Sequence, residues 1–454
     1  MTGLAASTTI RLLACATLIE ALLITLRLQG DLRYRIPETV GLLLLISILY
    51  LISVYLVLRP NQGGKSRADR KLMLVAAGAA VLFRLTVWPM APALSDDVFR
   101  YRWEGMVQAE GGNPYQVRPS DDEWSYLRDE TWPRVGSKDV KAGYGPLVEL
   151  IEHGLYRIVS AATADPVRQA FWFKAPAAAF DLAIILALAA LLAALGLTPG
   201  RLLIYAWSPL VLMEYWATGH NDAVAVFFVV GALALAARKH WTWAFVSLSL
   251  GVGAKFWPLI LFPVFIGWRG WRPLRWYQWL VLGPVAAVLA WPYWSNVRQN
   301  AEYMSGFVGG WRNNDSLYGL LLWITGDQYP AKHAAFAIVI LTAVAVTLLR
   351  WPLERASLTI LTVLLMVSAN CHPWYVTWLA PLLAVTPVPA LLLWTALMPL
   401  VYRVVIAWVL LGEWEGSTPW RWLIYVPVYG LLAGTALVKG VRRLRAGGAS
   451  ALLE

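Results

Sequence analysis

Residues 95–105 read Ser-Asp-Asp-Val-Phe-Arg-Tyr-Arg-Trp-Glu-Gly and interrupt a chain that is otherwise strongly apolar. Apolar runs that approach the ~20 residues needed to span a bilayer recur from Thr9 almost to the C-terminus. Asp96 and Asp97 therefore stand at the end of a predicted span, where a carboxylate is unfavourable unless it is paired or functional. The pattern predicts an all-α, polytopic membrane protein, with the acidic pair as its first candidate site.

The composition of the whole chain also indicates a membrane protein. Of its 454 residues, 59% are apolar and 14% are charged, whereas soluble domains carry about 25% charged residues. The net charge of +11 does not indicate a nucleic-acid partner, because Lys and Arg fall in short loops, where they fix membrane orientation. Two cysteines, Cys15 and Cys371, form no disulfide framework. The first span lacks a convincing cleavage site and is expected to be retained.

The distribution of basic residues predicts the topology. The stretch 59–71 is rich in Lys and Arg and is expected in the cytoplasm. The spans predicted around it are 9–28, 40–58 and 71–92. The third span would carry the acidic pair to the extracytoplasmic face, and both termini would be cytoplasmic.

Later turns continue this alternation. Residues 269–275 are a predicted basic inner loop, and residues 294–332 are a predicted outer loop. The register predicts roughly 14 spans. We expect a single membrane domain, 1–454.

Two apolar stretches are too short to cross an upright bilayer. Trp241–Ala254 and Phe256–Trp268 are better interpreted as half-helices or a re-entrant pair lining a cavity. Lys255 lies at their predicted outer junction. Its side chain could extend to the lipid headgroups or bind a phosphate as a point charge, and its position favours the second interpretation.

The largest hydrophilic insertion, residues 93–168, is the first predicted outer loop and holds 13 of the 27 acidic residues. A helix is predicted from an N-cap at Ser95 or Asp96 to about Ala109. Its apolar residues fall on one face and its charged residues on the other, which predicts a helix lying in the membrane interface.

Two interpretations of the acidic pair stay open. Either aspartate can cap the helix, or one can act as the general base for an acceptor hydroxyl. Helix spacing places Asp97 on one face with Arg100 and Glu104. Asp97 is therefore expected to be ion-paired, and Asp96 to be the freer carboxylate.

Three further polar clusters are predicted on the same outer face. They are His220-Asn221-Asp222, the stretch Arg312 to Asp315 that includes Asn314, and the stretch Asn370 to Tyr375 that includes His372. Each has a structural explanation, since Asn and Asp cap helices and loops are usually polar. Their convergence on one side of the membrane favours a site.

Cofactor motifs are missing from the sequence. It has no P-loop, no Rossmann fingerprint and no HExxH. The clusters have no convincing metal-ligand spacing, so no metal is indicated, although a divalent ion is possible. No cofactor is expected.

The polar segments, taken in order, resemble GT-C glycosyltransferases. The resemblance is closest to bacterial polyprenyl-phosphate-sugar-dependent members related to the mannosyltransferase of GPI-anchor assembly, and it extends over most of the chain from about residue 71. The segments that carry it are Ser95–Tyr101, Gly112–Tyr115, Tyr205–Leu210, Gly219–Asp222, Ala254–Pro258 and His372–Tyr375.

The resemblance implies an inverting enzyme at the extracytoplasmic face of the bacterial inner membrane. It would move a hexose, with mannose as the first expectation, from a polyprenyl-phosphate donor to a hydroxyl of a lipid or glycan acceptor. Asp96 matches the catalytic position, with Asp97 supporting it or acting in its place. The positions that would line the donor pocket are His220, Asn221, Asp222 and Lys255. Further candidate substrate ligands are Arg100, Arg312, Asn314 and His372.

One departure and two alternatives remain. Gly143–Pro146 stands where the family often has a Tyr-Pro-Pro run, which puts the acceptor contacts of this loop in question. Half-helices and buried charges also mark substrate paths, so a transporter or flippase for a lipid-linked sugar is an alternative, although the sequence shows no internal repeat. A non-catalytic assembly subunit is a third possibility, and it predicts that replacing either aspartate is harmless.

Overall fold

The computed structural model describes residues 2–59, 67–268, 287 and 312–450. Within these ranges every regular element is helical, apart from one isolated bridge between Asn313 and Asn370. The predicted all-α class is therefore confirmed. The predicted basic loop 269–275 and the part of the outer loop 294–332 that precedes Arg312 lie outside the described residues.

Helices of very different lengths build the amino-terminal part. They are α1 (Thr2–Leu28), α2 (Ile36–Leu58), α3 (Arg67–Val87), α4 (Asp97–Ala109), α5 (Pro146–Ala162), α6 (Pro166–Trp172), α7 (Ala175–Ala194), α8 (Leu202–Ala206), α9 (Pro209–Val211), α10 (Asp222–Ala237), α11 (Trp241–Ala254) and α12 (Phe262–Trp268). A π-helical turn, Leu212–Ala217, follows α9.

The carboxyl-terminal part continues in the same way. Its helices are α13 (Leu317–Thr325), α14 (Gln328–Leu348), α15 (Leu353–Met366), α16 (Pro373–Val376), α17 (Ala380–Val385), α18 (Pro389–Leu397), α19 (Val404–Leu411) and α20 (Trp422–Ser450). Several connections in both parts are short 3₁₀ turns.

Six helical segments in the described ranges are long and apolar enough to cross a membrane. They are Thr8–Leu28, Ile36–Leu58, Pro166–Ala194, Gln328–Leu348, Pro389–Leu411 and Pro419–Val438. Shorter apolar helices, such as Met73–Val87 and Asp222–Ala237, accompany them. The chain is therefore a polytopic membrane protein, and the first two spans lie close to their predicted positions. The total of roughly 14 spans stays a prediction, because it depends partly on undescribed residues.

The predicted break at Lys255 is confirmed. Helix α11 ends at Ala254, Lys255 has extended backbone, and a 3₁₀ turn, Trp257–Leu261, leads into α12. Pro258 supports this break because it has no backbone N–H to continue a helical ladder. Helix α11 packs against α10, so the break lies beside the start of α10.

The predicted interfacial position of α4 is wrong. Every residue from Val98 to Val107 is buried within the protein. The apolar side chains of α4 pack with Val159 of α5 and with Ala170 and Phe173, in a small core of their own. The polar face is covered by the loop that follows α4, which supplies ion-pair and hydrogen-bond partners to its arginines. The amphipathic pattern therefore reflects packing between α4, α5 and this loop.

Candidate active site

Asp96 occupies the N-cap position of α4 but makes no side-chain capping hydrogen bond. Its Oδ1 instead accepts hydrogen bonds from Nε and Nη2 of Arg134, at 2.8 and 2.6 Å. Arg134 also donates to the carbonyl of Pro92 at 2.8 Å. The Oγ of Ser95 accepts from the backbone N–H of Asp97 at 3.2 Å. The expectation that Asp96 is the freer carboxylate is wrong, because the loop brings an arginine to it from 38 residues away.

Asp97 is the first residue of α4, and its side chain is 32% exposed. Its Oδ2 accepts hydrogen bonds from the hydroxyls of Tyr101 and Tyr144, at 3.3 and 3.4 Å. Nε2 of His220 lies 3.6 Å from the same oxygen. Burial, followed by nearby carboxylates and phenols, raises the pKa of both tyrosines well above its ordinary value. Both hydroxyls therefore stay protonated and act as donors to Asp97.

The predicted pairing of Asp97 with Arg100 is also wrong. Arg100 pairs with Glu104, one helical turn further along α4, with Nε 2.7 Å from Oε1. The other guanidinium nitrogens donate to the carbonyls of Ser137 and Val140, at 2.9 and 2.7 Å. The i,i+4 spacing and the loop carbonyls direct Arg100 toward Glu104. Asp97 is therefore left facing tyrosine and histidine side chains.

Lys255 forms an ion pair with the buried side chain of Asp222. Nζ of Lys255 lies 2.6 Å from Oδ2 of Asp222, and Nε1 of Trp378 donates to Oδ1 of Asp222 at 2.7 Å. The Lys255 ammonium also lies 5.3 Å from the ring centre of Tyr144 and 5.7 Å from that of Tyr375. Tyr144 thus contacts Asp97 with its hydroxyl and Lys255 with its ring.

The Gly143–Pro146 segment holds Tyr144 in this position. The N–H of Gly145 donates to the carbonyl of Ala254 at 3.0 Å, directly before Lys255. A Cβ atom at Gly145 would lie 2.2 Å from the carbonyl oxygen of Gly253, so only glycine fits this approach. Proline here would remove the donor as well as collide. Gly145 stands where the Tyr-Pro-Pro run would have its first proline, and glycine is required there because the start of α5 lies so close to the end of α11.

His220 lies behind Asp97 and is almost fully buried, at 1% exposure. Its Nδ1 is 2.7 Å from Oε2 of Glu214 and 2.8 Å from the hydroxyl of Thr218. Its Nε2 is 3.1 Å from Oγ of Ser95. Burial lowers the pKa of His220, but the Glu214 carboxylate outweighs it, and the resulting pKa lies above the ordinary value.

Trp374 separates His220 from His372. The Trp374 ring stacks on His220 at a centroid distance of 4.1 Å and on His372 at 4.2 Å. Nδ2 of Asn313 lies 2.8 Å from Nδ1 of His372. Burial, with the charges of His220 and Lys255, lowers the pKa of His372 to about 3. The stack therefore places an imidazole whose pKa is raised and an imidazole whose pKa is lowered against the same indole.

The two carboxyl-terminal clusters meet each other. Nδ2 of Asn314 donates to the carbonyl of Cys371 at 3.1 Å, and Asn314 is buried with φ of 49°. Arg312 pairs with Asp315 at 2.8 Å. Cys371 and Cys15 are both free and buried, as expected from the absence of a disulfide framework. Asn314 thus supports the loop that presents His372, whereas Arg312 pairs within its own segment.

A cavity of about 500 Å³ connects these groups. The predicted site residues that line it are Asp96, Asp97, Arg100, Lys255 and His372. Those outside its described lining are His220, Asn221, Asp222, Arg312 and Asn314. Phe256, Trp408 and Trp414 also line the cavity and are 41–53% exposed, so it reaches an apolar part of the surface.

Comparison with known proteins decides the family. Residues 1–271 match the MptA_B family, described as alpha-(1->6)-mannopyranosyltransferase, N-terminal domain. The chain belongs to this family. It is a glycosyltransferase of the GT-C mannosyltransferase type. The family therefore favours an enzyme over the transporter or flippase alternative. No curated protein and no solved structure matches the chain.

This mannosyltransferase also contains a buried acidic cluster beside the cavity. Ligating oxygens of Glu104, Glu149 and Glu152 all lie within 4.8 Å of one another. Burial first, and then their mutual repulsion, raises the pKa of Glu149 and Glu152 well above the ordinary value. Gln108 Nε2 donates to Glu149 at 3.1 Å. Protons shared within the cluster would balance this charge, and so would a hard divalent cation held by the same oxygens.

Several site residues of the mannosyltransferase were not predicted from its sequence. Arg134 and Glu214 reach the site only through tertiary packing, whereas Trp374 lies in the predicted polar stretch Asn370 to Tyr375 but had no role assigned to it. Glu149 and Glu152 carry a usable signal, because they stand three residues apart on one face of α5, which has Val148 beside them in its core. Acidic residues on the buried face of a helix indicate a polar cluster inside the protein.

Proposed function

We propose that this mannosyltransferase transfers a mannosyl unit from a polyprenyl-phosphate donor to a hydroxyl of a lipid or glycan acceptor, with inversion, at the extracytoplasmic face. The observation that carries the proposal is that Asp97 accepts from the hydroxyl of Tyr144 while Lys255 lies over the ring of the same tyrosine, and that both line one cavity. A base and a cation on opposite sides of a reacting centre are what displacement of a phosphate by a hydroxyl requires.

Asp97 is the proposed general base. It lines the cavity, and the Tyr101 and Tyr144 hydroxyls orient one of its oxygens. In the transfer, the acceptor oxygen bonds to the anomeric carbon while its proton moves to Asp97. The bond from that carbon to the phosphate oxygen breaks, and the electron pair leaves with the phosphate.

Lys255 is the proposed ligand of the departing phosphate. An ammonium group has three donors, and Asp222 takes one of them at 2.6 Å. The other two can face a phosphate oxygen and stabilise the charge that develops on it. Because Lys255 is 13% exposed and lines the cavity, the ion pair with Asp222 positions the lysine.

The aromatic part of the cavity fits the donor lipid and sugar. Trp257 and Trp378 stack at 4.6 Å, and Tyr375 packs beside Trp378 at 5.0 Å. Phe256 follows Lys255 directly and is 53% exposed. We infer that the polyprenyl chain leaves the cavity past Phe256 while the sugar lies against the rings.

The family description suggests the linkage. An α-(1→6) product would place the acceptor's primary hydroxyl at Asp97, and inversion would require a β-linked donor. Ser137 and Val140, whose carbonyls bind Arg100, line the same cavity on the loop side. We therefore assign the acceptor to the side formed by this loop.

The test uses the full chain in lipid nanodiscs with radiolabelled β-linked polyprenyl-phosphate mannose. We expect polyprenyl phosphate to be released only when an α-mannoside acceptor is added. A labelled α-(1→6) product should form at the same time. Transfer from a nucleotide-linked mannose, with none from the lipid-linked donor, would contradict it.

A further inference from the structure

Glu214 lies in the π-helical turn Leu212–Ala217, and its side chain is fully buried. One carboxylate oxygen is 2.7 Å from Nδ1 of His220, and the other accepts a hydrogen bond from the hydroxyl of Tyr402. π-helical turns often accompany functional sites. This turn directs a carboxylate to the back of the imidazole that faces Asp97.

The backbone before His220 fixes the direction of the ring. Gly219 has φ of +80°, and a Cβ there would lie 2.8 Å from Cα of Lys174. The N–H of His220 donates to the carbonyl of Glu214 at 2.8 Å. His220 and Glu214 are therefore held together by backbone as well as by side chains. Nε2 of His220 consequently faces Ser95 and Asp97, at 3.1 and 3.6 Å.

The charges around His220 favour its protonated form. Carboxylates approach from three elements: Glu214 from the π turn, Asp97 from α4 and Asp222 from α10. The nearby lysines have other partners: Lys174 packs behind Gly219 and donates to backbone carbonyls, and Lys255 is paired with Asp222. His372 lies across Trp374, whose ring face also stabilises a cation.

We propose that Glu214 is a positioning residue for sugar transfer: it keeps the His220 imidazole charged and aimed at Asp97, so that Asp97 is ionised and oriented before the acceptor binds. The inference rests on the proposed role of Asp97. A protonated His220 stabilises the carboxylate form of its neighbour, which is the form that accepts the acceptor's proton. Activity should consequently fall as the pH rises through the His220 pKa.

The test compares wild type with Glu214→Gln in nanodiscs. Glutamine keeps a hydrogen-bond acceptor for Nδ1–H but removes the charge. We expect the alkaline limb of the kcat profile to move to lower pH by about one unit or more, with activity at acidic pH largely retained. The matched control is Glu20→Gln, because Glu20 lies in α1 and contacts Thr86; its profile should equal that of wild type.

A second measurement does not depend on the variant. The chain has five histidines, so ¹⁵N-histidine labelling gives few ring signals, and His220→Gln assigns one of them. We expect the His220 ring to be doubly protonated at pH 7 in wild type. A neutral ring at pH 7, or an unchanged alkaline limb in Glu214→Gln, would overturn the inference. The base assignment fails separately, if Asp97→Asn stays active.

Discussion

The guanidinium of Arg134 binds one carboxylate oxygen of Asp96 through both Nε and Nη2, at 2.8 and 2.6 Å. This contact separates the roles of two neighbouring aspartates. Asp96 fastens the loop that follows α4 to the start of that helix, whereas Asp97 faces two tyrosine hydroxyls and the cavity. We therefore assign proton acceptance to Asp97 and the support of α4 to Asp96.

The Arg134 contact can be tested by a double-mutant cycle. Arg134→Gln should reduce the transfer rate by about tenfold, because the start of α4 and Asp97 lose their fixed position. Asp96→Asn should have less effect in the Arg134→Gln background than in wild type, with a coupling free energy of about 1 kcal/mol in thermal or denaturant unfolding. If the effects of Arg134→Gln and Asp96→Asn were fully additive in both transfer rate and stability, a direct interaction between the two side chains would be contradicted.

Lys255 should determine affinity for the lipid phosphate. Lys255→Gln should raise the donor KM by at least about tenfold, since one charge-assisted hydrogen bond contributes roughly 1.5–3 kcal/mol. The acceptor KM should change little. Steady-state kinetics with the two substrates varied in turn measures this.

Two controls separate phosphate binding from structural pairing. Lys239→Gln removes a cation from the exposed turn between α10 and α11 and should leave the donor KM unchanged. Lys255→Gln alone leaves the buried Asp222 carboxylate without its cation. The double variant Asp222→Asn/Lys255→Gln removes both charges, so its thermal stability should return toward that of wild type while its donor affinity stays low. Restored donor affinity in the double variant would limit Lys255 to a structural role.

Gly145 should be intolerant of any side chain. Gly145→Ala places a Cβ 2.2 Å from the carbonyl oxygen of Gly253, so α5 and the turn at Lys255 must separate. We expect destabilisation by about 1–3 kcal/mol and a clear loss of transfer. Gly154→Ala is the matched control on the same helix, where nothing lies within 4 Å of an added Cβ; it should be neutral or slightly stabilising. Equal thermal midpoints for the two variants would refute the close contact.

The acidic cluster should make the packing of α4 against α5 more stable at low pH. Glu149 and Glu152 have raised pKa values in the folded state, caused first by burial. Their favourable contribution is fully present below the unfolded-state pKa and is lost as the pH rises through the folded-state pKa. Glu149→Gln should therefore raise the thermal midpoint at pH 7 by a few degrees (about 1 kcal/mol or more), and the difference should vanish near pH 4.

Adding divalent ions tests whether shared protons balance the charge of this cluster. If Ca²⁺ or Mg²⁺ stabilises wild type at pH 7 and Glu149→Gln abolishes the effect, a bound cation rather than shared protons balances the charge.

Much of the fold could be predicted because it depends on local composition. The apolar lengths of α1 and α2, the break at Lys255 and the helix starting at Asp222 all follow from nearby residues. The placement of α4 could not be predicted in the same way. Its amphipathic face suits a membrane interface and a protein interior equally, and the covering loop comes from later in the sequence.

Half of the predicted site residues line one cavity, but the partners of their side chains could not be predicted from the sequence. Asp96, Asp97, Arg100, Lys255 and His372 do converge on one cavity. Helix spacing pointed Asp97 to Arg100, whereas Arg100 binds Glu104 and Asp96 binds Arg134. The loop supplies Arg134 to Asp96 and two backbone carbonyls to Arg100. Sequence spacing along α4 carries no information on these loop partners.

The most direct test of the account compares Asp97→Asn with Asp96→Asn in the nanodisc transfer assay, using variants whose thermal midpoints match wild type. Loss of a general base should reduce kcat by about 10²–10⁴-fold in Asp97→Asn, whereas Asp96→Asn should retain a measurable part of the wild-type rate. Substantial transfer by Asp97→Asn, together with an inactive Asp96→Asn, would contradict the account.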